Sequence, residues 1–217
     1  SGQTIKEADD KFAQLTEKRK QLDEYALKQL VTHCIDSNLT VVSHDDHTAE
    51  KLQWALDLGV SIAEFPVTLE AVDFARKKGM MTVFGSPNLV RGKSHAGNLR
   101  VADLLETNRA DILCLDYSPR CLLPALFKAA KIGENNLVSA SRKFNLNPAR
   151  SVGLSDITGS IETGKSADLI IVDDKNGFPR VLTTLVKGEA VYQTIPSPGH
   201  EESFKPAFNL SNQLQAA

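Results

Sequence analysis

The sequence predicts an α/β fold in which a parallel sheet is followed by a smaller β-rich segment. Short β-branched runs alternate with helical segments through most of the 217-residue chain, and this alternation is typical of βαβ units. After Gly159 the helical periodicity stops, and Gly, Pro and Asp separate short β-rich runs. We therefore predict domains at residues 3–155 and 156–195, and a loosely ordered tail at 196–217.

Each predicted element depends on apolar spacing and on the residues that end it. An amphipathic helix is expected over residues 3–37, where apolar residues recur at helical spacing. The predicted parallel strands are residues 39–42, 61–65, 80–84 and 111–115. The other predicted helices are 48–58, 69–78, 99–108, 122–131, 136–144 and 148–152, and residues 85–98 are expected to form a loop. The later β runs are Ile161 and residues 167–172, 181–186 and 190–192, which predict an antiparallel appendage.

Polar side chains gather where the predicted parallel strands end. The first strand leads into the cluster Ser43-His44-Asp45-Asp46-His47, the second ends at Glu64, and the fourth ends at Asp116. Because the carboxyl ends of parallel strands meet at one edge of a sheet, we expect these side chains to lie close together. Imidazole and carboxylate groups are common ligands of divalent metals. Singly, each of these residues is also typical of an ordinary cap or turn, so the prediction depends on their recurrence.

The loop after the third strand is a second candidate feature. It carries Arg91, Lys93, Ser94 and His95 among several glycines. Arginine is a forked donor to phosphate and lysine a point charge, while glycine lets a ligand approach the backbone. Composition alone is equally compatible with an ordinary solvated loop, so both interpretations stay open here.

Composition argues against several classes of function. The formal net charge is −2, so the chain lacks the excess of Lys and Arg that is typical of a nucleic-acid-binding protein. No run approaches the 18 apolar residues of a membrane span. The three cysteines, Cys34, Cys114 and Cys121, lack metal-finger spacing and are expected to be free thiols in a reducing cytoplasm. We therefore expect a cytoplasmic protein with neither a nucleic-acid nor a membrane partner.

Four motifs and one later segment carry a family resemblance. The motifs are residues 43–46 (SHDD), 63–66 (AEFP), 85–98 (GSPNLVRGKSHAGN) and 116–119 (DYSP), and the later segment is residues 159–169 (GSIETGKSADL). In these motifs, which occur in order within residues 15–195, the sequence resembles the amidohydrolase superfamily and, within it, the PhnM subgroup of phosphonate-degrading enzymes. The resemblance implies the C-terminal half of a metal-dependent (β/α)8 TIM barrel together with part of a small β-sandwich.

The resemblance also implies roles for individual residues. His44 would be a metal ligand after the fifth barrel strand, and Asp116 would follow the eighth as a ligand and general base toward the hydrolytic water. Glu64 and His95 would be further ligands. Asp46 could orient His44 from behind. The implied cofactor is one or two divalent ions, with zinc the expected metal.

The implied reaction is hydrolysis of a ribose methylphosphonate triphosphate with release of diphosphate. We expect Arg91, Lys93, Ser94 and Asn88 to contact this phosphorylated small molecule. A homo-oligomer is the expected assembly, because an incomplete barrel would have unpaired sheet edges.

Part of the family's ligand set is missing from the sequence. The resemblance calls for a His-x-His pair after the first barrel strand and a ligand after the fourth, and the chain contains no such pair. We therefore expect a fragment of a longer enzyme, with an exposed apolar strand layer and little or no hydrolase activity alone. Two further interpretations stay open: an amide or cyclic-amide hydrolase, and a catalytically dead remnant that serves as an assembly module.

Overall fold

The computed structural model describes residues 10–11, 13–14, 17, 24–93, 99–133, 136–174 and 178–194. Ser94, His95 and the tail predicted at 196–217 therefore lie outside the described residues. The chain divides into two compact units, Ser1–Lys165 and Ser166–Ala217. This division falls later in the chain than the predicted boundary between residues 155 and 156.

The first unit alternates strands and helices, as predicted. Its strands are β1 (Val42–His44), β2 (Ile62–Glu64), β3 (Met81–Gly85) and β4 (Ile112–Cys114). Its helices are α1 (Glu24–Asp36), α2 (Ala49–Asp57), α3 (Leu69–Lys77), α4 (Ser86–Arg91), α5 (Val101–Glu106), α6 (Leu122–Ala129), α7 (Leu137–Phe144) and α8 (Leu146–Ser151), with a 3₁₀ turn at Pro119–Cys121. The strands form one parallel sheet in the order β1-β2-β3-β4, which confirms the predicted α/β class.

The first two strand-to-helix connections are built alike. Each ends in a threonine N-cap, and the hydroxyls of Thr48 and Thr68 accept from the backbone N–H of Lys51 at 3.2 Å and of Ala71 at 3.1 Å. These bonds satisfy amide donors that the first helical turn leaves without partners. Each connection is therefore short and defined, so the strand ends are held in a fixed relation to the following helices.

The face of the sheet formed by alternate strand residues carries an apolar cluster. The side chains of Ile62, Val83 and Ile112 are exposed by only 4%, 8% and 4%. The expectation that an incomplete barrel exposes its apolar strand layer is therefore wrong for these three positions. They pack against one another across adjacent strands, because parallel pairing brings alternate side chains onto the same face. The expectation does hold at β1, where Val42 is 43% exposed.

A short helix replaces part of the predicted loop at residues 85–98. Helix α4 begins directly after β3, with Pro87 in its first turn and Leu89 fully buried. Pro87 presets the helical φ angle, and Gly92 ends the helix in the left-handed conformation, its N–H donating to Asn88 O at 2.9 Å. The prediction of loop was therefore wrong for residues 86–91, since turn-forming residue types here serve to start and end a helix.

The second unit is an antiparallel sheet of three strands. β5 (Leu169–Asp173), β6 (Arg180–Val186) and β7 (Glu189–Gln193) pair in that order, which confirms the predicted antiparallel arrangement. Lys187 and Gly188, both at positive φ, form the two-residue turn of the second hairpin. Ile161 lies in no strand and is 86% exposed, so the β run predicted there was wrong.

Two expectations from composition can be compared with the structure. Cys34, Cys114 and Cys121 are all free thiols, as expected. Within the described ranges, the helices all fall short of the length and apolar character needed to cross a membrane.

Candidate active site at the carboxyl end of the parallel sheet

His44 and Glu64 form the centre of the candidate site. Both residues are the last in their strands, and the register places them directly opposite each other. His44 Nδ1 lies 2.8 Å from Glu64 Oε2. Because an ionised carboxylate only accepts, this bond places the imidazole proton on Nδ1. Glu64 thereby fixes the orientation and tautomer of His44, and the His44 ring packs edge-on against Phe65 at 5.3 Å between centroids.

The backbone turns sharply just beyond the strands. Asp45, Phe65 and Asp116 have φ angles of 53°, 53° and 52°, a conformation that is uncommon for residues other than glycine. The amides of Asp45 and Phe65 still donate to Glu64 O at 3.0 Å and to Val83 O at 2.9 Å, one bond beyond the strands. Backbone held in this region tends to occur at functional sites, and here it turns each connection across the end of the sheet.

Asp46 has different partners from those that the sequence suggested. Its side chain is fully buried; Oδ2 accepts from Ser43 Oγ at 2.6 Å, and Oδ1 lies 3.0 Å from Lys51 Nζ. The Lys51 contact lies outside hydrogen-bond geometry, so charge attraction is its main component. Lys51 Nζ also donates to His44 O at 3.2 Å. Asp46 and Lys51 therefore brace the backbone of His44, while Glu64 takes the position beside the imidazole.

Asp116 lies over the end of β3. A methyl group added to Gly85 would lie 3.0 Å from Asp116 Oδ2, so the carboxylate would have to shift by a few tenths of an ångström. Cys114 is opposite Gly85 in the sheet. Burial raises the pKa of the Cys114 thiol, and the carboxylates of Glu64 and Asp116 raise it further, against a bond to the Asp116 backbone that lowers it. The pKa of the Cys114 thiol therefore depends on both carboxylates.

Arg91 and Tyr117 join the connections that follow β3 and β4. Arg91 Nη1 donates a hydrogen bond to the Tyr117 hydroxyl, and the guanidinium carbon lies 5.7 Å from the centre of the Tyr117 ring. Tyr117 directly follows Asp116 in the chain. The guanidinium is therefore held near the strand ends, where an anionic ligand of Asp116's site could reach it.

Asn88 holds the ends of the connection between α4 and α5. Its side-chain amide donates to Leu99 O at 2.9 Å and accepts from the Val101 N–H at 3.1 Å. Both polar atoms of Asn88 thus have backbone partners, and its predicted contact with substrate stays a prediction. Lys93 is exposed, while Ser94 and His95 lie outside the described residues and their predicted roles are likewise untested.

The donors brought together here do not make up a metal centre by themselves. Across the described ranges, no three His, Cys, Asp or Glu side chains are grouped so that they could hold a metal ion. His44, Glu64 and Asp116 have suitable chemistry, but Nδ1 of His44 and one oxygen of Glu64 are already bonded to each other. The predicted ligand set is therefore not assembled by the described residues.

Sequence reasoning missed three residues of this region. Lys51 lies in the first turn of the helix after the polar cluster, Tyr117 is next to Asp116, and Lys128 donates to Val90 O at 3.2 Å from the distant helix α6. Adjacency to Asp116 was a usable signal for Tyr117. Lys128 offered none, because its position depends on how α6 packs against α4.

Comparison with known proteins relates this arrangement to one family. The model of the amidohydrolase family matches residues 4–191. The chain is 37% identical over 161 residues to the alpha-D-ribose 1-methylphosphonate 5-triphosphate diphosphatase of Escherichia coli (strain K12). That match covers 73% of this chain and 42% of the relative, so the chain spans less than half the length of this curated relative.

Solved structures share the fold. An amidohydrolase from Thermotoga maritima MSB8 has a TM-score of 0.57 at 22% identity, over 72% of this chain and 44% of its own. A prolidase complexed with N-methylphosphonate-L-proline has a TM-score of 0.60 at 18% identity, over 80% and 50%. An adenosine deaminase from Xanthomonas campestris with bound zinc has a TM-score of 0.55 at 18% identity, over 78% and 49%.

These likenesses confirm the predicted fold, in which the parallel sheet and its helices form part of a TIM barrel. The family model covers nearly all of the first unit and half of the second, and the strand-end residues lie where such barrels place their chemistry. The chain belongs to the amidohydrolase family, a family of hydrolases.

Proposed function

We propose that this chain supplies part of the active site of a metal-dependent hydrolase that acts on a phosphorylated ribose derivative and releases diphosphate. The observation that carries the proposal is the pairing of His44 with Glu64 across adjacent strand ends, with Asp116 over Gly85 at the same edge. The identity to the Escherichia coli diphosphatase supports the choice of substrate. A cytoplasmic location and a homo-oligomer stay predictions.

In this proposal, each residue of the strand ends has a distinct task. Glu64 holds the Nδ1 proton of His44, so that the lone pair of Nε2, which lies 3.5 Å from Asp45 Oδ2, is the one that can coordinate a cation. Asp116 is exposed and accepts the proton of the attacking water. Lys51 and Asp46 keep the backbone of His44 in place. Arg91 and Lys93 bind the oxygens of the phosphate chain.

A divalent ion, zinc by prediction, would supply Lewis acidity to the bond that is cut. The described residues fall short of a complete ligand set for it. His95 is the further candidate within this chain, and its role stays a proposal.

The experiment measures metal content and diphosphate release by the purified 217-residue chain. We expect sub-stoichiometric zinc after reloading, lost in His44→Ala, and at most slow diphosphate release from a ribose 5-triphosphate compound, lost in Asp116→Asn. Asp57→Asn, which removes an exposed carboxylate that accepts from Gln53 within α2, is the matched control and should change neither quantity.

The possible outcomes separate the interpretations. Equal release by the wild type and Asp116→Asn would contradict the role of Asp116. Faster cleavage of an amide or cyclic amide than of the triphosphate would favour the amidase alternative. Neither metal nor release, in a chain that is folded by circular dichroism, would favour the assembly module.

A further inference from the structure

The last turn of α4 gathers cationic side chains from three elements. Arg91 lies in this turn, Lys128 Nζ reaches from α6 to donate to Val90 O at 3.2 Å, and Arg100 Nε donates to Gly92 O at 3.2 Å. Cations are favoured near a helix C-terminus, whose carbonyl groups carry partial negative charge. That effect explains why the side chains gather, but it does not neutralise them.

The charges of this cluster are only partly compensated. Arg100 is 3.3 Å from the Asp103 carboxylate, and both side chains are exposed by more than half. Among the ion pairs formed by the described residues, none involves Arg91 or Lys128. Two exposed cations, Arg91 on the turn and Lys128 reaching it from α6, therefore leave a surplus of positive charge there.

Tyr117 fixes where the Arg91 guanidinium lies. The phenol accepts from Nη1, and its ring lies beneath the guanidinium at 5.7 Å. A guanidinium that is already oriented loses less conformational freedom when it binds an anion. Because Tyr117 follows Asp116, the oriented donor is also tied to the residue that the proposed function places at the reacting bond.

We propose that Arg91 and Lys128 bind the terminal phosphates of a polyphosphate chain, and that Tyr117 is the positioning residue for Arg91. The inference deepens the proposed function and depends on it for the position of the scissile bond. A forked donor and a separate point charge can contact two successive phosphate groups. The ligand class is therefore a linear di- or triphosphate, bound more tightly than a single phosphate.

The test is calorimetric titration of the 217-residue chain with inorganic triphosphate, and with orthophosphate for comparison. We expect triphosphate to bind at least about tenfold more tightly than orthophosphate, and Lys128→Gln to weaken it by about five- to tenfold. Tyr117→Phe, which keeps the ring and removes the hydroxyl, should weaken it by about threefold. The affinity of Tyr117→Phe should still fall with added salt as steeply as that of the wild type, because both cations remain.

Lys78→Gln is the matched control. It removes one positive charge from an exposed position over the Phe74 ring, outside the α4 cluster, and should change triphosphate affinity by less than twofold. Equal weakening by Lys78→Gln and Lys128→Gln would overturn the inference, as would unchanged affinity in both Lys128→Gln and Tyr117→Phe. Circular dichroism of each variant identifies any that fail to fold.

The test also separates this inference from the proposed function. Triphosphate binding that depends on Lys128 and Tyr117, without diphosphate release, would support the binding surface while the hydrolase proposal fails. Diphosphate release that is insensitive to both variants would support the hydrolase and contradict this surface.

Discussion

Both ends of the parallel sheet carry ionisable side chains, but these side chains differ in their hydrogen-bond partners and in their exposure. At the amino end, the Asp111 carboxylate has three donors: Arg76 Nη1 at 2.7 Å, Thr82 N at 3.0 Å and Thr82 Oγ1 at 2.9 Å. At the carboxyl end, Glu64 meets the imidazole of His44 at 2.8 Å, and these side chains are 34% and 55% exposed. At the amino end the polar groups are therefore used in contacts that stabilise the fold, while at the carboxyl end they stay accessible to a ligand.

Further groups at the amino end show the same pattern. Lys143 is 7% exposed and donates to Ala110 O at 2.7 Å; burial lowers the pKa of this lysine. Arg109 Nε donates to Asp73 at 2.6 Å, and this bond lowers the pKa of the Asp73 carboxyl. In barrels of this type, polar residues at the amino ends of strands serve stability, and these contacts give that rule a physical basis here.

The largest effect should come from breaking the amino-end network. Asp111→Ala leaves the fully buried Thr82 without the acceptor of its N–H, and leaves Arg76 without its carboxylate. We expect a loss of about 3 kcal/mol in the free energy of unfolding, measured with urea. Asp103→Ala, at an exposed pair, should cost less than about 0.5 kcal/mol. A loss below about 1 kcal/mol for Asp111→Ala would contradict a structural role for this end.

A pair of glycines should separate stability from function. At the amino end, Gly79 has φ +76° and open space where a methyl group would be added, so Gly79→Ala should cost about 1 kcal/mol of stability through backbone strain alone. At the carboxyl end, Gly85→Ala keeps an ordinary φ but pushes against Asp116 Oδ2 at 3.0 Å. It should lower any Asp116-dependent diphosphate release by about tenfold, with a smaller change in urea unfolding. The comparison fails if both variants lose stability equally and neither affects release.

The same contrast shows what a single sequence could and could not indicate. The sequence pattern correctly predicted that His44, Glu64 and Asp116 lie at strand ends. An apolar run that stops at a polar residue indicates the point where the strand leaves the buried core. The 2.8 Å contact of His44 with Glu64 depends on strand register, which comes from packing over the whole sheet. The amino-end network went unpredicted for the same reason, since Asp111 and Thr82 meet only through the pairing of β3 with β4.

Helix α4 shows a second limit. The Ser, Pro and Asn residues of this stretch are frequent in turns, although Ser86, Pro87 and Leu89 are all fully buried in the structure. Helix formation here follows from packing against α6 and from the Gly92 cap. Tertiary contacts thus decided between two local conformations that the residue types alone left open.

The smallest predicted effect concerns the thiol that lies among the carboxyl-end charges. Cys34, Cys114 and Cys121 are all partly buried, but the raised pKa of Cys114 leaves it less thiolate at neutral pH than an ordinary cysteine. At about pH 7.5, iodoacetamide followed by mass spectrometry should therefore label Cys114 severalfold more slowly than Cys121. Because the pKa of Cys114 is raised, its labelling rate should keep rising as the pH goes beyond the ordinary range for a cysteine.

Glu64→Gln sharpens this measurement, because it removes one of the two carboxylates that raise the Cys114 pKa while keeping the size of the side chain. The change favours the thiolate, so labelling of Cys114 at about pH 7.5 should become about twofold faster, with Cys121 unchanged as the internal reference. An unchanged rate at Cys114 would mean that burial and the Asp116 carboxylate suppress the thiol without help from Glu64. A faster rate would show that negative charge persists at the carboxyl end, which is the condition for that end to attract a cation.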